Sequence, residues 1–180
     1  MIRAVVLLGL CMLLAEGFKE IAFFGVLCFV WLCWLDVRSG GMYGLKTEAS
    51  FDSAHFLTDY YGKCENLHGH RWRVVVYIEQ EVLQGEGTMR DMVLDFGVFK
   101  KVVREVAASL DHAFLVEEGS LKPATVEALQ GEGFSLIMLP FRTTAENLAR
   151  WFCDQLVMRG LPVSQIDCYE TPNNCAIYRP

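Results

Sequence analysis

From Tyr43 onward the chain alternates. Tyr43, Leu45, Ala49, Phe51 and His55 fall on one parity, while Lys46, Glu48, Ser50 and Asp52 fall on the other. Successive side chains of an extended strand point to opposite faces, so this period of two describes a strand with one face covered and one face wet. A second run, Trp72-Arg73-Val74-Val75-Val76-Tyr77-Ile78, is dense in the β-branched and aromatic residues that strands favour. Gln84-Gly85-Glu86-Gly87 reads as a turn. Such strands must lay their apolar face against another layer, and that requirement limits the fold more than any other feature of the sequence.

The covering layer is legible downstream. Asp95 suits the N-cap of a helix beginning at Phe96, with Phe99, Val102, Val103, Val106, Ala107 and Leu110 on one face at helical spacing. The stretch from Val116 to Phe141 is loop-rich, and Ala124 to Gln130 suits a short helix within it. Thr143 and Glu146 have capping-box spacing and open a further helix, whose stripe is Ala145, Leu148, Ala149, Phe152 and Leu156. Gly160 and Pro162 end it. Two last strands, about Ser164 to Glu170 and Cys175 to Tyr178, flank the turn Thr171-Pro172-Asn173-Asn174. The resulting order, β-β-α-α-β-β, predicts an α+β fold with an antiparallel four-stranded sheet and two helices.

Residues 1–41 are of another character. Two apolar runs, Ala4 to Ala15 and Ile21 to Leu35, are each shorter than the roughly 20 residues that cross a bilayer. Cys33-Trp34-Leu35-Asp36 is a poor site for signal cleavage. The expectation is a hydrophobic N-terminal extension, poorly structured or read from an upstream start, ahead of a domain spanning 42–180. Membrane contact through residues 1–41 is the alternative and is not favoured. The charges of the extension, Arg3, Glu16, Lys19, Glu20, Asp36 and Arg38, cancel, so the net charge of −6 belongs to the domain. An acidic domain lacks the clustered cations that nucleic acid rewards. The seven cysteines include no CxxC pair and outline neither a disulfide framework nor a thiolate metal site, which fits a reducing compartment.

His68-Gly69-His70 is the sharpest local signal. On a strand, residues two apart share a face, so both imidazoles can reach one ion. Their parity leads on to Trp72, Val74, Val76 and Ile78, the apolar side of that strand, and His55 sits on the apolar parity of the first. Locally, a chance pair and a packed core histidine would look the same. The joint placement of three of only four histidines favours a His₃ site with its fourth position open, as catalytic zinc requires.

Other groups of interest lie nearby in sequence. Cys64 precedes His68 by four residues and follows Lys63, and a thiol beside a dication and a lysine is a candidate base or nucleophile, although most cysteines only pack. In Asp111-His112 a carboxylate adjoins an imidazole, either as a proton relay or as a histidine favoured by a helix C-terminus. Glu170, at a strand end, is either a solvated terminal residue or a carboxylate able to accept paired N–H donors from a heterocycle.

Several spaced motifs occur in order: Phe51-Asp52-Ser53-Ala54-His55, Cys64-x₃-His68-Gly69-His70, Val93-Leu94-Asp95-Phe96, Leu110-Asp111-His112, Thr144-Ala145-Glu146-Asn147-Leu148-Ala149 and Tyr169-Glu170-Thr171. Together they resemble the 6-pyruvoyltetrahydropterin synthase superfamily over residues 43–180, and the three-residue gap between Cys64 and His68 resembles its 6-carboxytetrahydropterin synthase branch. The resemblance implies a tunnelling fold, an oligomeric barrel assembled as a homo-oligomer, trimer or hexamer, with sites at subunit boundaries. It implies that His55, His68 and His70 bind Zn²⁺ and that Cys64 accepts a proton. It further implies that His112, supported by Asp111, relays protons, that Glu170 anchors a pterin ring and that Thr144 contributes to the pterin pocket. The implied reaction converts 7,8-dihydroneopterin triphosphate to 6-carboxy-5,6,7,8-tetrahydropterin with release of acetaldehyde and triphosphate, on the route to queuosine, in the cytoplasm. The competing expectations are a 6-pyruvoyltetrahydropterin synthase, a catalytically silent zinc- and pterin-binding protein, and a generic zinc hydrolase, the last weakened by the want of a water-activating carboxylate beside the histidine pair.

Overall fold

Two long strands, β1 (Tyr43–His55) and β2 (His68–Gln80), run antiparallel in unbroken register from Tyr43 opposite Gln80 to His55 opposite His68. The computed structural model describes residues 41–180; the expectations for the apolar N-terminal segment concern residues that lie, Gly41 apart, outside that range. The alternation read from the sequence sets the facing: Phe51, Trp72, Val74, Val76 and Ile78 are all buried on one side. Two helices lie on that side, α1 (Phe96–Ala108) and, further along the chain, a helix spanning Ala145–Val157. Phe51 stacks on Trp72 at 6.1 Å between ring centroids and tilts against Phe152 at 5.6 Å, tying the sheet to the second of these helices.

The sheet has six strands and is mixed, which corrects the expected four-stranded antiparallel sheet with two helices. The stretch read as loop-rich holds β3 (Ala113–Glu117), α2 (Pro123–Gly131) and β4 (Leu136–Leu139), and the expected short helix is α2. β3 runs parallel to β1, and β4 parallel to β3. Both strands are short, and β3 buries the consecutive residues Leu115 and Val116, so neither shows the alternation that marks a half-exposed strand. The helix Ala145–Val157 is therefore α3, followed by β5 (Val163–Thr171) and β6 (Asn174–Tyr178). The sheet order is β4-β3-β1-β2-β5-β6.

The helix ends explain the remaining details. The Asp95 side chain accepts from the Val98 N–H, as an N-cap should. At α3 the cap is Thr144, accepting from Asn147 N–H at 3.4 Å, and not the expected Thr143. Thr143 is fully buried and its hydroxyl is committed elsewhere, to the Phe56 carbonyl at 3.1 Å. Gly160, at φ +83°, turns the chain out of α3. Among the described residues no helix is long and apolar enough to cross a membrane.

Truncation of a fully buried aromatic side chain at the sheet–helix contact costs about 3–5 kcal/mol. Phe152→Ala is expected to lower stability by that amount in equilibrium urea unfolding. A loss under about 1 kcal/mol would mean that this contact does not hold α3 to the sheet.

Candidate metal centre and active site

The β1–β2 register builds the centre. His55 faces His68 directly across the two strands, and Ser53 faces His70. The three rings converge, with centroids 4.5 Å apart for His55–His68, 4.9 Å for His68–His70 and 5.3 Å for His55–His70. Trp72 meets His55 and His70 edge-on at 5.1 and 5.5 Å and gives the cluster an apolar wall.

Two of the imidazoles are held in a defined tautomer. His55 Nδ1 donates to the Thr143 carbonyl at 2.9 Å, and His68 Nδ1 donates to the Asn66 carbonyl at 2.7 Å. A carbonyl only accepts, so each Nδ1 carries the proton and each Nε2 presents a bare lone pair. The Nε2 atoms of His55, His68 and His70 are all buried without a hydrogen-bond partner. Three orphaned lone pairs aimed at one point are costly in a folded interior unless something binds them. A divalent cation satisfies all three at once, and neutral nitrogen donors suit zinc. The donor set therefore fits the metal that the sequence suggests. Burial pushes the His70 imidazole below its ordinary range, against the opposing pull of Glu170, which keeps it neutral as a ligand must be.

Glu170 joins this cluster. The pairing of β5 with β6 shifts register between Tyr169 and Thr171, so Glu170 stands at an irregularity that re-aims its side chain. Its Oε1 lies 3.3 Å from His55 Nε2 and 3.4 Å from His70 Nε2, and one ligand atom from each of the four residues falls within 4.8 Å of the others. The sequence leaves this residue open between a solvated strand end and a heterocycle anchor, and only the resemblance implies the anchor; the fold sets it against the histidines.

The Asp111-His112 pair sits in the turn between α1 and β3 and not in the helix itself. His112 adopts φ +53°, and its N–H donates to the Asp52 carbonyl at 2.7 Å. Asp111 Oδ1 accepts from the Asp52 N–H at 2.8 Å, while Oδ2 lies 2.9 Å from His112 Nδ1. The pair is thus docked on the backbone of one β1 residue, with the exposed ring's Nε2 left free. His112 and His70 both line a cavity of about 670 Å³ whose apolar wall includes Phe114, Leu129 and Phe134. Cys64 is half-buried, with a free thiol, in a single 3₁₀ turn (Lys63–Glu65) within the loop from His55 to His68. That loop is closed by Leu57 N–H donating to the Cys64 carbonyl at 2.8 Å. Thr144 serves as the N-cap of α3.

Four supporting residues escaped the sequence reading. Thr143 and Asn66 orient histidines through backbone carbonyls, a role that leaves no side-chain signature. Asp52 and Arg71 face each other across β1 and β2, and Arg71 grips the carboxylate with Nε at 3.0 Å and Nη2 at 2.7 Å. Both lie on the wet parity of their strands, where charge is the default, so only the register reveals the pair.

A mixed sheet carrying α1 and α3 on one face, with three histidines and Glu170 grouped so that they could hold a metal ion at the β1–β2 hairpin, defines a protein of the pterin-synthase fold. Residues 44–180 match the family model described as 6-pyruvoyl tetrahydropterin synthase, and the chain belongs to that enzyme family. It is similar to the 6-carboxy-5,6,7,8-tetrahydropterin synthase of Haemophilus influenzae, 35% identical over 141 residues that cover 77% of this chain and 99% of the relative. The protein of that name from Synechocystis is 30% identical over 139 residues, covering 76% and 93%. Among solved structures, the 6-pyruvoyl tetrahydropterin synthase of Plasmodium vivax superimposes with a TM-score of 0.57 at 20% identity, covering 78% of this chain and 98% of that one. The Caenorhabditis elegans enzyme does so with 0.55 at 22%, covering 78% and 96%. At these identities the two structures speak for the fold.

Asp52 and Asp111 are both held below the usual carboxylate range, Asp52 chiefly by the Arg71 hydrogen bond and Asp111 chiefly by the Asp52 N–H. A carboxyl whose folded value is depressed contributes stability above its unfolded pKa and loses it as pH falls through the folded value. Stability is therefore expected to decline below about pH 4, and Asp52→Asn should flatten that decline while lowering stability at neutral pH. Urea unfolding across the acid range checks this, and a variant curve as steep as the wild type would contradict it.

Proposed function

We propose that the protein is a zinc-dependent 6-carboxytetrahydropterin synthase. It would convert 7,8-dihydroneopterin triphosphate to 6-carboxy-5,6,7,8-tetrahydropterin with release of acetaldehyde and triphosphate, in the 7-deazaguanine route to queuosine. The single observation that carries this reading is the convergence of three orphaned Nε2 atoms from His55, His68 and His70, in a chain 35% identical to a relative of that name. The sister reaction, which gives a 6-pyruvoyl product, uses the same fold, and product analysis separates the two.

His55, His68 and His70 would hold the zinc ion. When bound, zinc polarises the substrate's side-chain oxygens and makes the adjoining C–H bonds more acidic. The Cys64 thiolate takes a proton from such a carbon. His112, with Nδ1 fixed by Asp111, has Nε2 free to deliver or receive a proton, and the Asp111 carboxylate stabilises the imidazolium that results. Glu170 offers two carboxylate oxygens to the parallel N–H donors of the pterin's amino-pyrimidine edge, and Thr144 would contribute to the pterin pocket. The cavity that His112 lines presents an apolar wall to the substrate, while the His112 ring itself stays largely exposed. Function as a homo-oligomer, trimer or hexamer, in the cytoplasm belongs to the same proposal.

Mass spectrometry of the products formed from 7,8-dihydroneopterin triphosphate tests it. Zinc-loaded protein should give 6-carboxytetrahydropterin and acetaldehyde, and Cys64→Ala should lower turnover by at least about 100-fold without loss of zinc. A 6-pyruvoyl product would move the protein to the sister reaction. Full turnover by the Cys64 variant would sink the assigned base.

A further inference from the structure

The position of Glu170 conflicts with a single role. A carboxylate that receives the pterin's paired donors uses both oxygens for them. Here one oxygen, Oε1, stands 3.3 and 3.4 Å from the Nε2 atoms of His55 and His70. Neither approach is a hydrogen bond, because both nitrogens remain without a partner. These separations have another meaning. Ligands about 2.0–2.1 Å from a tetrahedral zinc ion stand about 3.3–3.4 Å from one another along the edges of the tetrahedron. The carboxylate oxygen thus stands at a tetrahedral edge from two of the three nitrogens, those of His55 and His70, while the His68 ligand atom lies farther off, within 4.8 Å, so that Glu170 is placed beside the fourth corner of the His₃ set.

Burial supports the same assignment. The His55 side chain is wholly enclosed, whereas those of His70 and Glu170 are 20% and 26% exposed. Glu170 stands on the solvent-facing rim of the cluster, at a strand irregularity, next to a turn closed by Asn174 N–H donating to Thr171 Oγ1. A side chain at such a place can swing between the cluster and the opening without disturbing the core strands, whose buried members Ile166 and Cys168 lie further back on β5.

We infer that Glu170 is an exchangeable fourth ligand: it completes the metal's coordination in the substrate-free enzyme and leaves to receive the pterin ring, so that the catalytic position opens only once the ring is seated. The first half stands on geometry alone; the second rests on the proposed pterin reading. The exchange has a consequence that reaches both ligands. If one carboxylate serves metal and pterin by turns, an unsubstituted pterin, which has no side chain to replace the carboxylate, must weaken metal binding, and the metal must weaken binding of that pterin by the same factor.

Cobalt(II) substitution of the full-length protein reads this directly, because its visible bands report coordination number and donor type. The ligand-free Glu170→Gln protein is expected to differ from wild type in these bands and to bind zinc at least about 10-fold more weakly. Glu170→Asp, which keeps the charge but withdraws the oxygen by one methylene, should show the same changes, and circular dichroism verifies that both variants are folded. Unsubstituted pterin should shift the wild-type spectrum and lower its zinc affinity. Unchanged bands and affinity in both ligand-free variants would overturn the ligand assignment, whatever the substrate. A wild-type spectrum indifferent to pterin would overturn the exchange. If that same protein also yields no pterin product, the proposed reaction has failed, while the resting coordination is judged by the variants alone.

Discussion

The antiparallel register of β1 and β2 is the constraint on which the rest depends. It places His55 opposite His68 and Ser53 opposite His70, and the period of two then turns the three imidazoles to the covered face. A slip of one residue would send the whole set of one strand to the wet face. The register is held over thirteen residues by the apolar ladder of Phe51, Trp72, Val74, Val76 and Ile78 against α1 and α3. The hydrophobic effect that stabilises the sheet therefore also fixes the geometry of the centre.

Around that register, backbone groups do much of the orienting. The Thr143 carbonyl just ahead of α3 and the Asn66 carbonyl before β2 set the tautomers of two histidines, and the Asp52 backbone docks Asp111 and His112. α3 thus bears on the centre twice, through Phe152 beneath Phe51 and through the residue that precedes its cap. Thr143 resembles a cap in the sequence because a threonine three residues before a glutamate has that spacing. Its burial against His55 is a tertiary demand that outweighs the local preference.

What the sequence revealed followed from length and periodicity. β1, β2, α1 and α3 each run thirteen residues, long enough for periods of two and 3.6 to declare themselves. β3 and β4, five and four residues long and set in the parallel part of the sheet, carry no such pattern, and the sheet's extra width went unseen with them. The three histidines were legible because strand parity alone groups them. The Arg71–Asp52 pair depends on register, and the approach of Glu170 to the histidines depends on an irregularity in β5, so neither could be derived from spacing.

X-ray absorption at the zinc edge of the purified, full-length protein reads the His55–His68–His70 centre itself. A shell of nitrogen and oxygen donors at about 2.0–2.1 Å, with outer-shell scattering from three imidazoles, is the predicted result. A sulfur shell at about 2.3 Å, or scattering from fewer than three imidazoles, would contradict a centre built by His55, His68 and His70.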